Sequence, residues 1–286
     1  MPYLILIFST LCVSSSSLIG SLYNRKNEGR TGADGIYNLI LTLSALAVWG
    51  IASCFSFRFH LPTLLFSLGF GLSYAITHFS TLRALRYGSV SMTSLASQFS
   101  LIGTAIWGVL FWGDDLAWTG MVGLVLVAFS LVLCLRNTNE EKTVDKKWLF
   151  YALLMLLGNM GCVVIQKSQI RAYGEEYGNM LMLFAMLFSS LVVFVAFLRS
   201  DKRDIKPILK KSAHLPVLAG VCNAVLNLCV VYMAMRLPSG LVYPVIAVGG
   251  IGICVLASML FFREKISRIQ WLGLAVGTVA VLFLSI

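Results

Sequence analysis

Ten stretches of about 20 apolar residues, joined by short polar links, leave this chain little choice of fold. They run Pro2–Leu22, Asp34–Phe57, Pro62–Leu82, Ser89–Trp112, Leu116–Leu135, Lys147–Ile170, Glu176–Leu198, Ser212–Met235, Ser239–Phe262 and Arg268–Ile286. A helix of that length crosses ~30 Å of hydrocarbon. In lipid, every backbone N–H and C=O must find its partner inside the segment, which makes helix the default. Charged residues make up 12% of the chain against 58% hydrophobic, whereas a soluble domain carries about a quarter charged. The expected fold class is an all-α integral membrane protein of ten transmembrane helices. Met1 to Leu22 lacks the basic start and small-residue cleavage site of a signal peptide, so it is read as the first membrane helix.

The second half repeats the first. Ala84-Leu85-Arg86-Tyr87-Gly88-Ser89 aligns with Ala234-Met235-Arg236-Leu237-Pro238-Ser239. Without a gap, Phe111-Trp112-Gly113-Asp114-Asp115-Leu116 then aligns with Phe261-Phe262-Arg263-Glu264-Lys265-Ile266, and Gly123-Leu124 with Gly273-Leu274. The offset is 150 throughout. Shared hydrophobicity would match apolar letters but would not also hold Arg, Ser, the acidic hinge and Gly in register. Residues 1–135 and 136–286 are therefore read as two five-helix repeats. Five is odd, so the second copy enters the membrane inverted, the arrangement of many secondary transporters whose site lies between the copies at the midplane.

Charge gives the orientation. All but four of the 22 Lys and Arg fall in the links after segments 1, 3, 5, 7 and 9. Arg58, Lys167, Arg171 and Arg236 are on the other side. The rich side is expected to be cytoplasmic, with both termini outside an inner (plasma) membrane. The net charge of +10 thus reads as contact with anionic lipid rather than nucleic acid. All seven cysteines lie in apolar runs at spacings that fit neither a disulfide framework nor a zinc site. No metal or cofactor is expected.

These features resemble the drug/metabolite transporter superfamily in its ten-helix, EamA-type branch. The resemblance rests on the small-residue starts of segments 4 and 9, the aromatic-acidic hinges at Phe111–Asp114 and Phe261–Glu264, and Gln270-Trp271-Leu272-Gly273. Pro244 supplies the mid-helix proline of that pattern in segment 9, while Ser94 stands at the matching place in segment 4. The resemblance implies a transporter working by alternating access, more often exporting than importing, with a cavity lined by segments 1, 3, 4, 6, 8 and 9.

All 12 acidic residues lie at or near segment ends, so a buried carboxylate exchanging protons for cations is not expected; Ser14 to Ser17 occupy the first segment instead. The interior offers neutral polar groups. Ser73 with Thr77 and Tyr74 with His78 form two i,i+4 pairs on segment 3. The candidate substrate-binding residues are Tyr74, His78, Ser94, Gln98, Asn159, Gln166, Lys167, Asn223, Asn227 and Tyr243. A serine in such a helix serves first as an interhelical hydrogen-bond partner, worth ~0.6 kcal/mol. Amides cost more to bury, which singles out Gln98, Asn223 and Asn227. His78 is the one histidine inside a segment and the candidate proton carrier. Lys167 either meets a substrate carboxylate or snorkels to the interface. Gly249-Gly250-x-Gly252 reads as a tightly packed or flexible stretch, and Gly273-x-x-x-Gly277 as helix packing or a homodimer contact.

The sequence thus points to a carrier, not an enzyme, for a small neutral or zwitterionic organic metabolite, with proton coupling open. A cationic-drug/proton antiporter and a channel or non-transporting scaffold are the alternatives.

Overall fold

In the computed structural model the backbone is described for residues 2–55, 57–113, 118–136, 146–201, 203–234, 239–262 and 267–283. Among the described residues there are helices and no strands. The helices are α1 (Pro2–Lys26), α2 (Ala33–Ser53), α3 (Leu61–Tyr87), α4 (Val90–Gln98), α5 (Ser100–Trp107), α6 (Trp118–Arg136), α7 (Lys146–Tyr173), α8 (Gly178–Leu198), α9 (Ile205–Ser212), α10 (His214–Ala234), α11 (Ser239–Phe262) and α12 (Arg268–Phe283). Four of them, counting α8 with the short 3₁₀ turn before it, are by length and composition apolar enough to cross a membrane. The number becomes five if α9 and α10 count as one bent span. The chain is an all-α membrane protein. The hinges at Asp114, Asp115, Arg263 and Glu264, and Arg236, lie outside the described residues.

Two apolar stretches depart from simple rods. The fourth divides at Phe99 into α4 and α5, then closes in a π-helical turn over Gly108–Trp112. There is no proline to break it. Ser97 Oγ donates to the Ser94 carbonyl at 2.7 Å and Ser100 Oγ to the Ser97 carbonyl at 2.8 Å, so hydroxyls compete with backbone N–H groups for the same acceptors. The basic link before the eighth stretch is not open loop. It contains α9, turned 62° from α10, because Ile208 is fully buried while Lys206, Lys210 and Lys211 stay exposed.

Small residues decide which helices meet. Gly158 and Gly161 of α7 receive Thr77 and Ser73 of α3, where a Cβ on Gly158 would stand 2.4 Å from Thr77 Oγ1. Gly71 sets α3 on α8, Gly220 sets α10 on α2, and Gly249 and Gly250 set α11 on α1. The Gly249-Gly250 stretch is thus a close-packed contact. Gly273 and Gly277 are covered within the chain: Ser130 Oγ of α6 donates to the Gly273 carbonyl at 2.6 Å and would lie 2.7 Å from a Gly277 Cβ. The packing role of that pair is filled by α6.

Ion pairs lie at the two ends of α3. At one end, Arg83 Nε donates to Asp34 Oδ2 at 3.1 Å, Arg86 bonds Asp34 Oδ1, and Arg83 Nη1 reaches Tyr151 Oη at 3.1 Å. Thr31 N–H donates to Asp204 Oδ2 at 2.9 Å beside them in sequence. At the far end of α3, Arg58 pairs with Glu176. Asp34→Asn is expected to lower stability by about 1 kcal/mol, since the two arginines are each about two-fifths exposed and water screens part of the pair. Thermal unfolding of the purified protein checks it; an unchanged midpoint would show the triad to be inert.

Candidate functional site

Tyr74 sits midway along α3, and Asn223 and Asn227 sit one turn apart midway along α10. Tyr74 Oη donates to Asn223 Oδ1 at 2.8 Å. Asn227 Nδ2 donates to the Asn223 carbonyl at 2.9 Å and to Asn223 Oδ1 at 3.3 Å. The His78 ring lies 4.2 Å from the Tyr74 ring, centroid to centroid, and Phe70 stacks at 6.3 Å on the same stripe. Tyr74 is only 5% exposed, while His78, Asn223 and Asn227 are half-buried. A buried phenol or amide is costly without a partner, so these groups satisfy one another across two helices. They present donors, acceptors and aromatic faces without a formal charge.

The two faces of α3 have separate work. Ser73 and Thr77 pack on the glycines of α7, whereas Tyr74, one residue further round, bonds Asn223 of α10 with the His78 ring against it. Cys162 of α7 joins the edge of this group, its thiol donating to the Phe70 carbonyl at 3.9 Å.

The other sequence candidates are spread out. Ser94 is buried with a hydroxyl oxygen that has no hydrogen-bond partner among the described residues. Gln98 ends α4, half-buried, and its Nε2 approaches Ser97 Oγ at 3.4 Å. Asn159 and Gln166 are half-buried, two turns apart on one face of α7. The side chain of Tyr243 lies outside the described residues. Lys167 is exposed, with Nζ 5.9 Å from the Trp112 ring centroid at the end of the fourth stretch. Ser14 is a packing residue, donating to the Thr10 carbonyl at 2.8 Å and across to the Gly250 carbonyl at 3.1 Å. Ser91 and Ser258 pair at 2.7 Å between α4 and α11, and Trp148 Nε1 donates to Thr93 Oγ1 at 3.0 Å.

Sequence reasoning missed Phe70, whose place four residues before Tyr74 and eight before His78 was the available signal. It also missed Trp112 as a partner for cations, which no local pattern announces. Two grooves among the described residues do not contain the amides. One, of about 280 Å³, lies between α11 and α12 around Val255 and Leu274. The other, of about 460 Å³, lies between α3, α5 and α7. Both are walled mainly by apolar atoms. Burial of mutually bonded amides is a costlier arrangement than an apolar groove.

A family model described as Sugar transport protein matches residues 4–286. No curated protein matches this chain. A solved structure described as "Crystal structure of protein" resembles it with a TM-score of 0.58 and 15% identity, over 96% of this chain and 95% of that one. At that identity the likeness is one of fold alone. The family match extends over nearly the whole chain, so this chain belongs to the sugar transport protein family, a family of membrane transporters.

Proposed function

We propose that this member of the sugar transport protein family carries a small neutral, hydroxyl-rich solute of the sugar class across an inner membrane by alternating access. The observation that carries the reading is the uncharged group of Tyr74, Asn223 and Asn227 bonded across α3 and α10. Amides can donate and accept at once, as vicinal hydroxyls do, and an aromatic face covers the apolar side of a sugar ring. His78, against Tyr74, is the group through which a proton could be coupled.

The carrier is read as ten spans in two inverted halves of the EamA type, 1–135 and 136–286. Exchanging the halves preserves the main pairings. Helix α3 packs on α7 and α8, and α10 packs on α1 and α2; α2 meets α8, α4 meets α11, and α6 meets α12. Under the 150-residue offset each of these pairs maps onto another or onto itself. Gly71 on the Ala185 carbonyl joins α3 to α8, and Gly220 on the Leu41 carbonyl joins α10 to α2, the counterpart pair of helices. An acid stands at the start of each of these helices too, Asp34 in the first turn of α2 and Glu175 in the turn before α8. Both termini are placed outside by the charge distribution, and export is the direction that the EamA-type resemblance favours.

Sealed vesicles containing the purified protein test the function, offered labelled neutral hexoses and pentoses, with amino acids as a second panel. Saturable sugar flux that accelerates when unlabelled sugar is loaded on the far side is expected. Flux without that acceleration would make the protein a channel, and flux of amino acids alone would overturn the substrate class. Orientation is tested by single cysteines at Asp115 and Arg268 in whole cells. An impermeant thiol reagent is expected to label 115 and spare 268; the reverse would invert the topology.

A further inference from the structure

Two thiols meet between α1 and α10, and the amide group uses neither. The helices run in opposite directions, since Asn27 just after α1 takes a bond at 3.4 Å from Ser212 Oγ just before α10. Cys12 lies ten residues past the start of α1, a rise of about 15 Å toward the middle of the hydrocarbon. Its thiol hydrogen-bonds to that of Cys222 on α10, and Cys229, two turns on along the same face, is within electrostatic reach of it. Cys12 is buried, Cys222 and Cys229 are half-buried, and all three are free thiols. The chain hides this pair, because Cys12 and Cys222 belong to different repeats. Other thiols are placed elsewhere: Cys254 donates to the Ser14 carbonyl at 3.8 Å, Cys162 to the Phe70 carbonyl, and Cys54 is exposed.

The surroundings carry no charge. Cys229 packs with Val13 and Leu226 on Leu6 and Ile246. No charged side chain occurs from Tyr3 to Asn24 in α1, from Leu215 to Ala234 in α10, or from Ser239 to Phe262 in α11, which packs on α1. Thiols hold soft metal ions, and they lose their protons in doing so. An unbalanced charge at this depth is costly, so a metal complex here has to be neutral by itself. Two thiolates cancel a divalent ion, whereas a monovalent soft ion would leave a net negative charge. Zinc asks for four ligands, and among the described residues no three ligating side chains are grouped to hold a metal. A divalent ion satisfied by two sulfurs in a line meets both conditions, and mercury(II), supplied as its neutral chloride, is such an ion.

We propose that Cys12 and Cys222 form a bridging site for a divalent, linear, thiophilic metal ion, which pins α1 to α10 and arrests the carrier. Two S–H bonds give way to two S–Hg bonds, the two protons leave with the two chlorides, and nothing is oxidised or reduced. Cys222 adjoins Asn223, so the bridge joins the two halves beside the amide group. The arrest rests on the function proposed above; the binding does not.

The test gives the phosphine-reduced, full-length protein one equivalent of mercuric chloride in detergent and weighs it by native mass spectrometry. One mercury with two protons lost is expected. In sealed vesicles the same treatment should abolish the saturable sugar flux, and a dithiol wash should restore it. Cys12→Ala and Cys222→Ser should each lose the two-proton adduct, and either one, folded, is enough to decide. Cys54→Ser, which removes an exposed thiol outside the pair, should bind mercury as the parent does. An adduct that has lost one proton and kept a chloride would overturn the proposal. So would a two-proton adduct that survives in either variant of the pair, or undiminished flux with the ion bound. Vesicles without flux before mercury is added would overturn the proposed function instead, and the mass of the adduct would still decide the site.

Discussion

Asn223→Ala is expected to cut saturable solute uptake, measured as kcat/KM in sealed vesicles, by about tenfold or more. The Asn223 amide oxygen accepts from Tyr74 Oη at 2.8 Å and from Asn227 Nδ2 at 3.3 Å; its loss strands the Tyr74 hydroxyl, while Asn227 Nδ2 keeps the Asn223 main-chain carbonyl at 2.9 Å. A buried phenol left without an acceptor costs about 1–3 kcal/mol, and 1.4 kcal/mol is already a factor of ten. Uptake and stability separate the two roles the residue could have. If the variant unfolds at lower temperature yet transports normally, Asn223 is a packing residue and the site lies elsewhere. Asn223→Asp sharpens the contrast: it keeps an acceptor for Tyr74 but puts a carboxylate at mid-helix depth. A charge there costs about 2.5–3.5 kcal/mol on insertion scales, so uptake is expected to fail in that variant as well.

The second large effect is on the fold itself. Gly220→Ala is expected to destabilise the protein by about 1–3 kcal/mol through overpacking. A Cβ there would stand 2.3 Å from the Leu41 carbonyl oxygen and 2.9 Å from Ser44 Cβ, and Leu41 is fully buried. Backbone cannot rotate aside as a side chain can, so α2 would have to shift away from α10. Gly50→Ala is the matched control, because a Cβ at Gly50 meets nothing within 4 Å. In that open helical position alanine should be neutral or stabilising by up to about 1 kcal/mol. Thermal unfolding of both variants in one detergent decides it. If they behave alike, the close approach of α10 to α2 is absent in the folded protein.

How much was legible beforehand differs from residue to residue. The pairing of Tyr74 with His78 follows from i,i+4 spacing alone, and the rings do meet at 4.2 Å. That Tyr74 would reach Asn223 does not follow, because 149 residues separate them and nothing local records the approach of α3 to α10. Lys167 shows the reverse case. A cation near the end of an apolar helix can turn inward to a solute or outward to the interface, and the aromatic ring it stands over, Trp112, belongs to another stretch. The break at Phe99 was half visible. The serines that cause it stand in the sequence, but their effect requires each hydroxyl to choose a carbonyl over solvent or a neighbouring helix.

The sequence by itself determined the membrane class and the helical state, and it led to the expectation of a repeat at offset 150 with uneven charge at the two ends. All of these come from terms that act along the chain: segment length against hydrocarbon thickness, satisfaction of the backbone within each segment, and Lys and Arg counts in short links. Only the tertiary structure decided which face of each helix turns inward. In water an apolar stripe marks the core face, but a helix bathed in lipid is apolar all round and its moment says little. One residue's rotation, about 100°, separates Thr77 against Gly158 from His78 beside Tyr74. The close packing of glycines against backbone carbonyls fixed that rotation.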